Sequence, residues 1–272
     1  MPELPEVETV RRGLAELVAP NDFIKTVRVH RRDLRFPVPF RFEQSLAGQK
    51  IVGFRRRAKY LLWELDRGVF LSHLGMTGTW RRNPSNSKLH DHLELQLGSG
   101  DRFVYNDPRR FGFVDYLEKP DWEDSKWFRH LGPEPIDRSR FTGDHLYQRS
   151  RGKSTSLKAF LMDQRNVVGV GNIYASEALF LAGLRPTRKA GRLTKAQALS
   201  LVEEVHAVIQ KAIEAGGTTL KDFRQAGGET GYFQQQLHVY GREGEACGVC
   251  AVAIENVTIT GRSSFFCPNC QS

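Results

Sequence analysis

Long apolar runs are missing from this 272-residue chain. Its hydrophobic stretches are strand-sized, short of the ~18 residues a membrane helix needs, so no membrane-embedded role is expected. The start, Met1-Pro2-Glu3-Leu4-Pro5-Glu6, has neither the basic flank nor the apolar segment of a secretion signal. A cytoplasmic protein is expected. Cysteine is scarce, with four residues and none before Cys247, which excludes a disulfide scaffold spread along the chain. No low-complexity block suggests disorder. Acid is also in deficit: 31 Asp+Glu face 40 Lys+Arg, a formal charge of +9.

What is present is enough apolar sequence to build cores, at 40% hydrophobic and 26% charged. The length suggests two domains with room for a small appended module. The basic residues come in separated clusters: Arg55-Arg56-Arg57 with Lys59, Arg81-Arg82, Arg109-Arg110, then Arg149, Arg151, Lys153 and Lys158. Phe54, Tyr60, Trp80, Phe111 and Phe160 sit beside them. Clusters that a fold could gather into one groove fit a nucleic-acid backbone; composition alone also allows a plain basic surface.

The cysteines form two close pairs, Cys247 with Cys250 and Cys267 with Cys270, separated by a hairpin-length segment. That spacing lets four thiolates meet around one Zn²⁺. Two disulfides are the alternative; without a secretion signal, zinc is the reading adopted. Four sulfur ligands leave no position for water, so the metal is structural. Between the pairs, Val257-Thr258-Ile259-Thr260, Gly261 and Ser264-Phe265-Phe266 read as a hairpin with Arg262 at its turn. An outward guanidinium there is either functional or merely solvated.

Leu4, Val7, Val10, Leu14, Leu17 and Val18 recur at helical spacing, predicting a helix from about Glu3 to Val18 with Glu3, Glu6 and Glu8 in its first turns. Short apolar or β-branched segments follow at Lys50 to Phe54, Tyr60 to Leu65, Val69 to His73, His92 to Leu97, Phe103 to Asn106 and Gly112 to Leu117. They predict an antiparallel sandwich or barrel-like sheet. Leu131-Gly132-Pro133-Glu134-Pro135 reads as a linker. Beyond it the period is helical: Thr194 and Gln197 resemble a capping box ahead of Leu199, Val202, Val205, Ile209 and Ile213, and Gly216-Gly217 stops that helix. Asn172 is the expected N-cap of a helix from Ile173 to Ala182. The glycine-containing turn before it, Val167 to Asn172, leaves a helix N-terminus suited to phosphate, or is simply a tight connection. His90-Asp91-His92 shows no third ligand nearby and is not read as a metal site.

The blocks Pro2-Glu3-Leu4-Pro5-Glu6-Val7-Glu8, Arg56-Arg57-Ala58-Lys59-Tyr60-Leu61, His73-Leu74-Gly75-Met76, Asp107-Pro108-Arg109-Arg110-Phe111-Gly112, Val170-Gly171-Asn172-Ile173-Tyr174 and Gly216-Gly217-Thr218-Thr219-Leu220, with the terminal cysteines, resemble the bacterial formamidopyrimidine-DNA glycosylase family, in order from residue 2 to Cys270. The resemblance implies an α+β multidomain fold: residues 1–131 as an N-terminal helix plus antiparallel β-sandwich, 132–150 as a linker, 151–237 as a helix-two-turn-helix domain carrying a lesion-capping loop, and 238–272 as a four-cysteine zinc finger. It also implies a monomer, located with the bacterial nucleoid, that acts on damaged double-stranded DNA held across the cleft between its domains.

The activity so implied is a bifunctional DNA glycosylase and abasic-site lyase for oxidised purines. Pro2, exposed by loss of Met1, attacks C1′ of the damaged nucleotide as a secondary amine; Glu3 shuttles protons, and Glu6 helps orient the site. Lys59 assists β-elimination and Arg262 δ-elimination. Met76, Arg109 and Phe111 fill the space left by the everted nucleotide. His73, His90, Lys153 and Asn172 contact phosphates, as do Lys59 and Arg262. The glycine-rich stretch Ala226 to Phe233 corresponds to the family's cap over the everted base. Leu4 together with Arg109 and Phe111 resembles the purine branch; the alternatives are an endonuclease VIII-like enzyme for oxidised pyrimidines and a non-catalytic zinc-finger DNA-binding protein.

Overall fold

The computed structural model describes residues 2–118, 122–217 and 237–272. The capping stretch Ala226 to Phe233 and residues Thr218 to Leu220 of the glycine motif lie outside them. The chain divides into two compact units. The first takes residues up to Arg129 together with Gly216 and Gly217; the second takes His130–Ala215 and the described residues from 237 onward.

The first unit opens with helix α1 (Leu4–Leu17), which places Leu4, Val7, Val10 and Leu14 on one buried face. Two four-stranded antiparallel sheets follow. One has the order β1 (Ile24–Val29), β6 (Asp91–Leu97), β7 (Arg102–Asn106), β5 (Thr79–Arg82); the other has β2 (Ile51–Arg57), β3 (Tyr60–Leu65), β4 (Gly68–His73), β8 (Phe113–Glu118). A short helix, α2 (Phe42–Leu46), joins β1 to β2. The fold is the expected α1-plus-sandwich arrangement. Ile24, Leu95, Phe103 and Tyr105 of one sheet share a single core with Leu61, Trp63, Phe70 and Val114 of the other and with Val7, Val10 and Leu14 of α1. Trp63 bridges the layers, its ring centroid 5.4 Å from Trp80 and 5.7 Å from Phe103. The indole N–H of Trp80 donates to Ser72 Oγ at 3.1 Å, which offsets the cost of burying that polar atom.

The second unit contains α3 (Gly143–Ser150), α4 (Leu157–Met162), α5 (Asn172–Leu181), α6 (Lys195–Glu214) and the hairpin β9 (Glu255–Ile259) and β10 (Arg262–Phe266). Helix α5 is buried almost all round and packs against α4, α6 and β10. Helix α6 starts at the expected Thr194–Gln197 capping box. The finger shares a small core with α5 through Phe180, Val239, Cys247, Ile254 and Cys267.

Three expectations need correction. Residues 143–150, expected within the linker, form α3, capped by Thr142 accepting from the His145 N–H. Nor is the 131–135 stretch free: the Gly132 N–H donates to Gln164 O and the Val168 N–H to Pro133 O. The prolines there shape an ordered entry into the second unit. Finally, Gly171, not Asn172, is the N-cap of α5; the Asn172 amide is drawn away by partners on the finger.

Candidate active site and nucleic-acid interface

Pro2 and Glu3 enter α1 from its N-terminus, and both are buried. A capping box holds them: the Glu3 carboxylate accepts from the Glu6 backbone, and the Glu3 N–H donates to Glu6 Oε2 at 2.8 Å. Two carboxylates thus sit beside the proline, where the helix N-terminus stabilises negative charge. Helix α1 is locked to the second sheet by Glu8, which accepts from Arg11, Arg12 and Arg56. Burial alone would raise the Glu8 carboxyl; the hydrogen bonds and charges of these arginines overcome it and hold the group below its ordinary value. Arg56 lies on β2 two residues before the β2–β3 turn, Ala58-Lys59, so the same pair ties the proline's helix to the hairpin that carries Lys59.

Gly217 closes on this end of α1. Its φ is +83°, and a Cβ there would lie 3.1 Å from Glu6 Cγ and Oε1. Gly217→Ala is therefore expected to cost about 1 kcal/mol or more through the left-handed backbone alone. It should also displace the carboxylate that orients Glu3, so catalysis should fall further than stability; thermal unfolding and single-turnover rates measured together check this.

Lys59 is buried at the tip of β2–β3 and acts on His73 at the end of β4. Burial first, then the charges of Lys59 and Arg35, push the His73 imidazole down to about 3. Its Nδ1 accepts from the Gly75 N–H at 3.1 Å. The ring is therefore neutral near pH 7 with its hydrogen on Nε2, a donor that adds no charge.

Two loops meet beyond His73, one after β4 carrying Met76 and one after β7 carrying Arg109 and Phe111. They touch at the backbone: a Cβ on Gly75 would stand 2.2 Å from the Gly112 nitrogen. Phe111 is 42% exposed, with the Arg109 guanidinium over its ring at 4.8 Å. An exposed phenylalanine stacked under an arginine suits base-step insertion. His90 lies at the base of the same loop, its carbonyl accepting from the Asp107 N–H. Neighbouring His92 donates through Nε2 to the Asp107 carbonyl at 2.8 Å, which commits its ring.

In the second unit, Lys153 lines a cavity of about 250 Å³ with Arg149 and Arg165. The Asn172 amide donates to Ser263 O at 3.1 Å, next to exposed Arg262. The hairpin turn is Thr260-Gly261, both at positive φ, between the paired residues Ile259 and Arg262, so Arg262 leaves the tip outward. The four thiol sulfurs all lie within 4.8 Å of one another, with Cys247 to Cys270 at 3.9 Å and Cys250 to Cys267 at 3.4 Å. A tetrahedral site with metal–sulfur bonds of about 2.3 Å needs sulfurs roughly 3.8 Å apart, so the donor set fits one ion. Among the described residues this is the one group with metal-binding geometry.

Several basic residues do something other than meet solvent. Arg81 pairs with Asp91, Arg82 with Asp101, and Arg110 with Asp33. Lys158, read in the sequence as part of a surface cluster, is 1% exposed and donates to Ser263 O at 3.1 Å and Ser264 Oγ at 2.8 Å. It joins Asn172 in holding the strand that carries Arg262. Glu177, unmarked in the sequence reading, accepts from the backbone N–H groups of His238, Val239 and Tyr240 and pins the entry to the finger on α5. It is the one charged residue of α5, and that was the available signal.

A helix-led β-sandwich, an α-helical module and a four-cysteine hairpin finger define a modular class of chain whose exposed elements are basic and aromatic. Residues 1–114 match the formamidopyrimidine-DNA glycosylase N-terminal domain, 131–224 its H2TH domain, and 244–272 the zinc finger found in FPG and IleRS. A formamidopyrimidine-DNA glycosylase of Syntrophotalea carbinolica is 50% identical over 274 residues, covering 100% of both chains. Among solved structures, Lactococcus lactis Fpg in complex with abasic-site DNA is 32% identical with a TM-score of 0.90, covering 99% of each chain. The same protein in complex with Fapy-dG DNA gives 31% and 0.89, covering 99% of this chain and 100% of that one. The chain belongs to the formamidopyrimidine-DNA glycosylase family.

No described helix is long and apolar enough to cross a membrane.

Proposed function

We propose that this chain is a base-excision repair enzyme that removes oxidised purines from duplex DNA and then cleaves the abasic site. The observation that carries the reading is the buried Pro2-Glu3-Glu6 capping box at the head of a full-length family match. Once Met1 is removed, the Pro2 amine adds to C1′ as the bond from C1′ to the base breaks, and the base departs with a proton. The C1′–O4′ bond then breaks, O4′ takes a proton and the nitrogen lone pair forms C=N, leaving an iminium that withdraws electrons from the opened sugar. A carboxyl group such as Glu3 moves the protons, and Lys59 assists loss of the 3′ phosphate. An ordinary α-amino pKa of about 7.7–8.0 leaves part of the amine neutral near pH 7.

Met76, Arg109 and Phe111 hold the duplex open, while His73, His90, Lys153 and Asn172 contact its phosphates. Arg262 serves the second elimination. We assign Zn²⁺ to the four thiolates, an ion that fits this donor set and would cross-link the finger when bound. An enzyme acting on chromosomal DNA is expected with the nucleoid in the cytoplasm.

Side-by-side turnover of duplexes carrying 8-oxoguanine opposite cytosine and thymine glycol opposite adenine tests the substrate assignment. Faster excision of 8-oxoguanine, by about tenfold or more, is the expected result. A preference for thymine glycol contradicts it.

A further inference from the structure

We infer that Asp107 is the positioning residue that fixes the two insertion loops against each other, an inference resting on the reading that Met76, Arg109 and Phe111 occupy the vacated space. The Asp107 side chain is 0% exposed. Its Oδ1 accepts from Thr77 Oγ1 at 2.6 Å, on the Met76 loop, and its Oδ2 from the Gly112 N–H at 2.8 Å, on the Arg109 loop. The Tyr105 hydroxyl stands 3.5 Å from the same Oδ2. Burial, then the Asp107 charge, raises Tyr105 well above its ordinary value, so the hydroxyl stays a donor.

The backbone of Asp107 is equally committed. Its N–H donates to His90 O, and its carbonyl accepts from His92 Nε2 and from the Arg110 N–H. Thr77 extends the link, since its hydroxyl also accepts from the Arg109 N–H at 3.3 Å. The carboxylate therefore sets both loops, and the Asp107 backbone ties them to the start of β6.

A buried carboxylate bonded to neutral donors is expensive to maintain, and an apolar side chain would fill the volume more cheaply. What the carboxylate supplies is geometry. It accepts from both loops at once, and the backbone contact between Gly75 and Gly112 leaves no slack. The exposed side chains are thereby held on a rigid frame before DNA arrives, which lowers the ordering cost of inserting them.

The test compares two reactions of the full-length protein. Excision of 8-oxoguanine from a duplex needs the insertion loops; borohydride trapping on an abasic site in single-stranded DNA needs only the Pro2 machinery. Asp107→Ala and Thr77→Val should slow duplex excision, the former by about tenfold or more. Trapping on the single strand should stay within about twofold, and Asp107→Asn, which keeps one accepting oxygen, should recover part of the loss.

Thr77→Val keeps the side-chain volume and carries the test if Asp107→Ala does not fold. Wild-type duplex excision in these variants, or equal losses in both reactions, overturns the inference. Arg109→Ala is the reference. If it too leaves duplex excision unchanged, the insertion reading fails and the Asp107 role falls with it. If it slows excision while the Asp107 and Thr77 variants do not, only the Asp107 role fails.

Discussion

A protein that keeps even a short uncleavable extension ahead of Pro2 is expected to lose abasic-site cleavage by about 10³-fold or more while still binding duplex DNA. The reason is electronic. An acylated proline nitrogen delocalises its lone pair into the amide and cannot add to C1′, whereas the free secondary amine carries a reactive pair once deprotonated. Binding should survive because Arg109, Lys153 and Arg262, the residues proposed to contact phosphate and base, are untouched by the extension. Gel analysis of abasic-site cleavage beside fluorescence anisotropy separates the two effects. Cleavage by the extended protein within a few-fold of the free one would remove Pro2 from the mechanism.

The second large effect concerns the finger. Stripping the metal, or changing Cys267 to Ser, should unfold the segment from Cys247 onward and weaken DNA binding by about 10²-fold. A two-stranded hairpin is marginal by itself, and the core it shares with α5 includes the ligands Cys247 and Cys267. Structural zinc contributes about 10–16 kcal/mol of apparent binding free energy in comparable finger peptides, far more than β9 and β10 could replace. Helices α3 to α6 should persist because their packing includes the capped, buried faces of α5 and α6. Metal release, anisotropy and far-ultraviolet circular dichroism measured on one sample check this. Unchanged affinity after complete metal release would show that the finger does not serve DNA binding.

Elements with strong local signals were legible in the sequence. Leu4, Val7, Val10 and Leu14 mark α1, and the apolar runs from Tyr60 and Val69 mark β3 and β4 because both strands are buried on two faces. The cysteine spacing marks the finger. Strand β1 escaped because its register shifts between Ile24 and Thr26. That bulge places the apolar Ile24, Val27 and Val29 off the two-residue period. Strand β5 has four residues at a sheet edge with Trp80 alone buried, and α3 carries too few apolar residues to announce a helix.

The candidate site divides the same way. Pro2, Glu3 and Arg109 stand in contiguous motifs, so a resemblance could carry them. Asp107 stands in the same motif as Arg109, but its part depends on Thr77 and His92, which only folding brings to it. Lys158 is the opposite case: a lysine that composition counts as surface charge is buried under the finger's backbone. Arg81 and Arg82 likewise pair with Asp91 and Asp101, so the 40 Lys+Arg overstate the cations left to face phosphate.

Borohydride reduction during reaction with an abasic-site duplex, followed by mapping of the crosslinked peptide, bears most directly on the central claim. Reduction converts the iminium to a stable amine, and the account predicts one adduct, on the N-terminal peptide at Pro2. An adduct on Lys59 or another lysine, or no adduct while the duplex is cleaved, would contradict it.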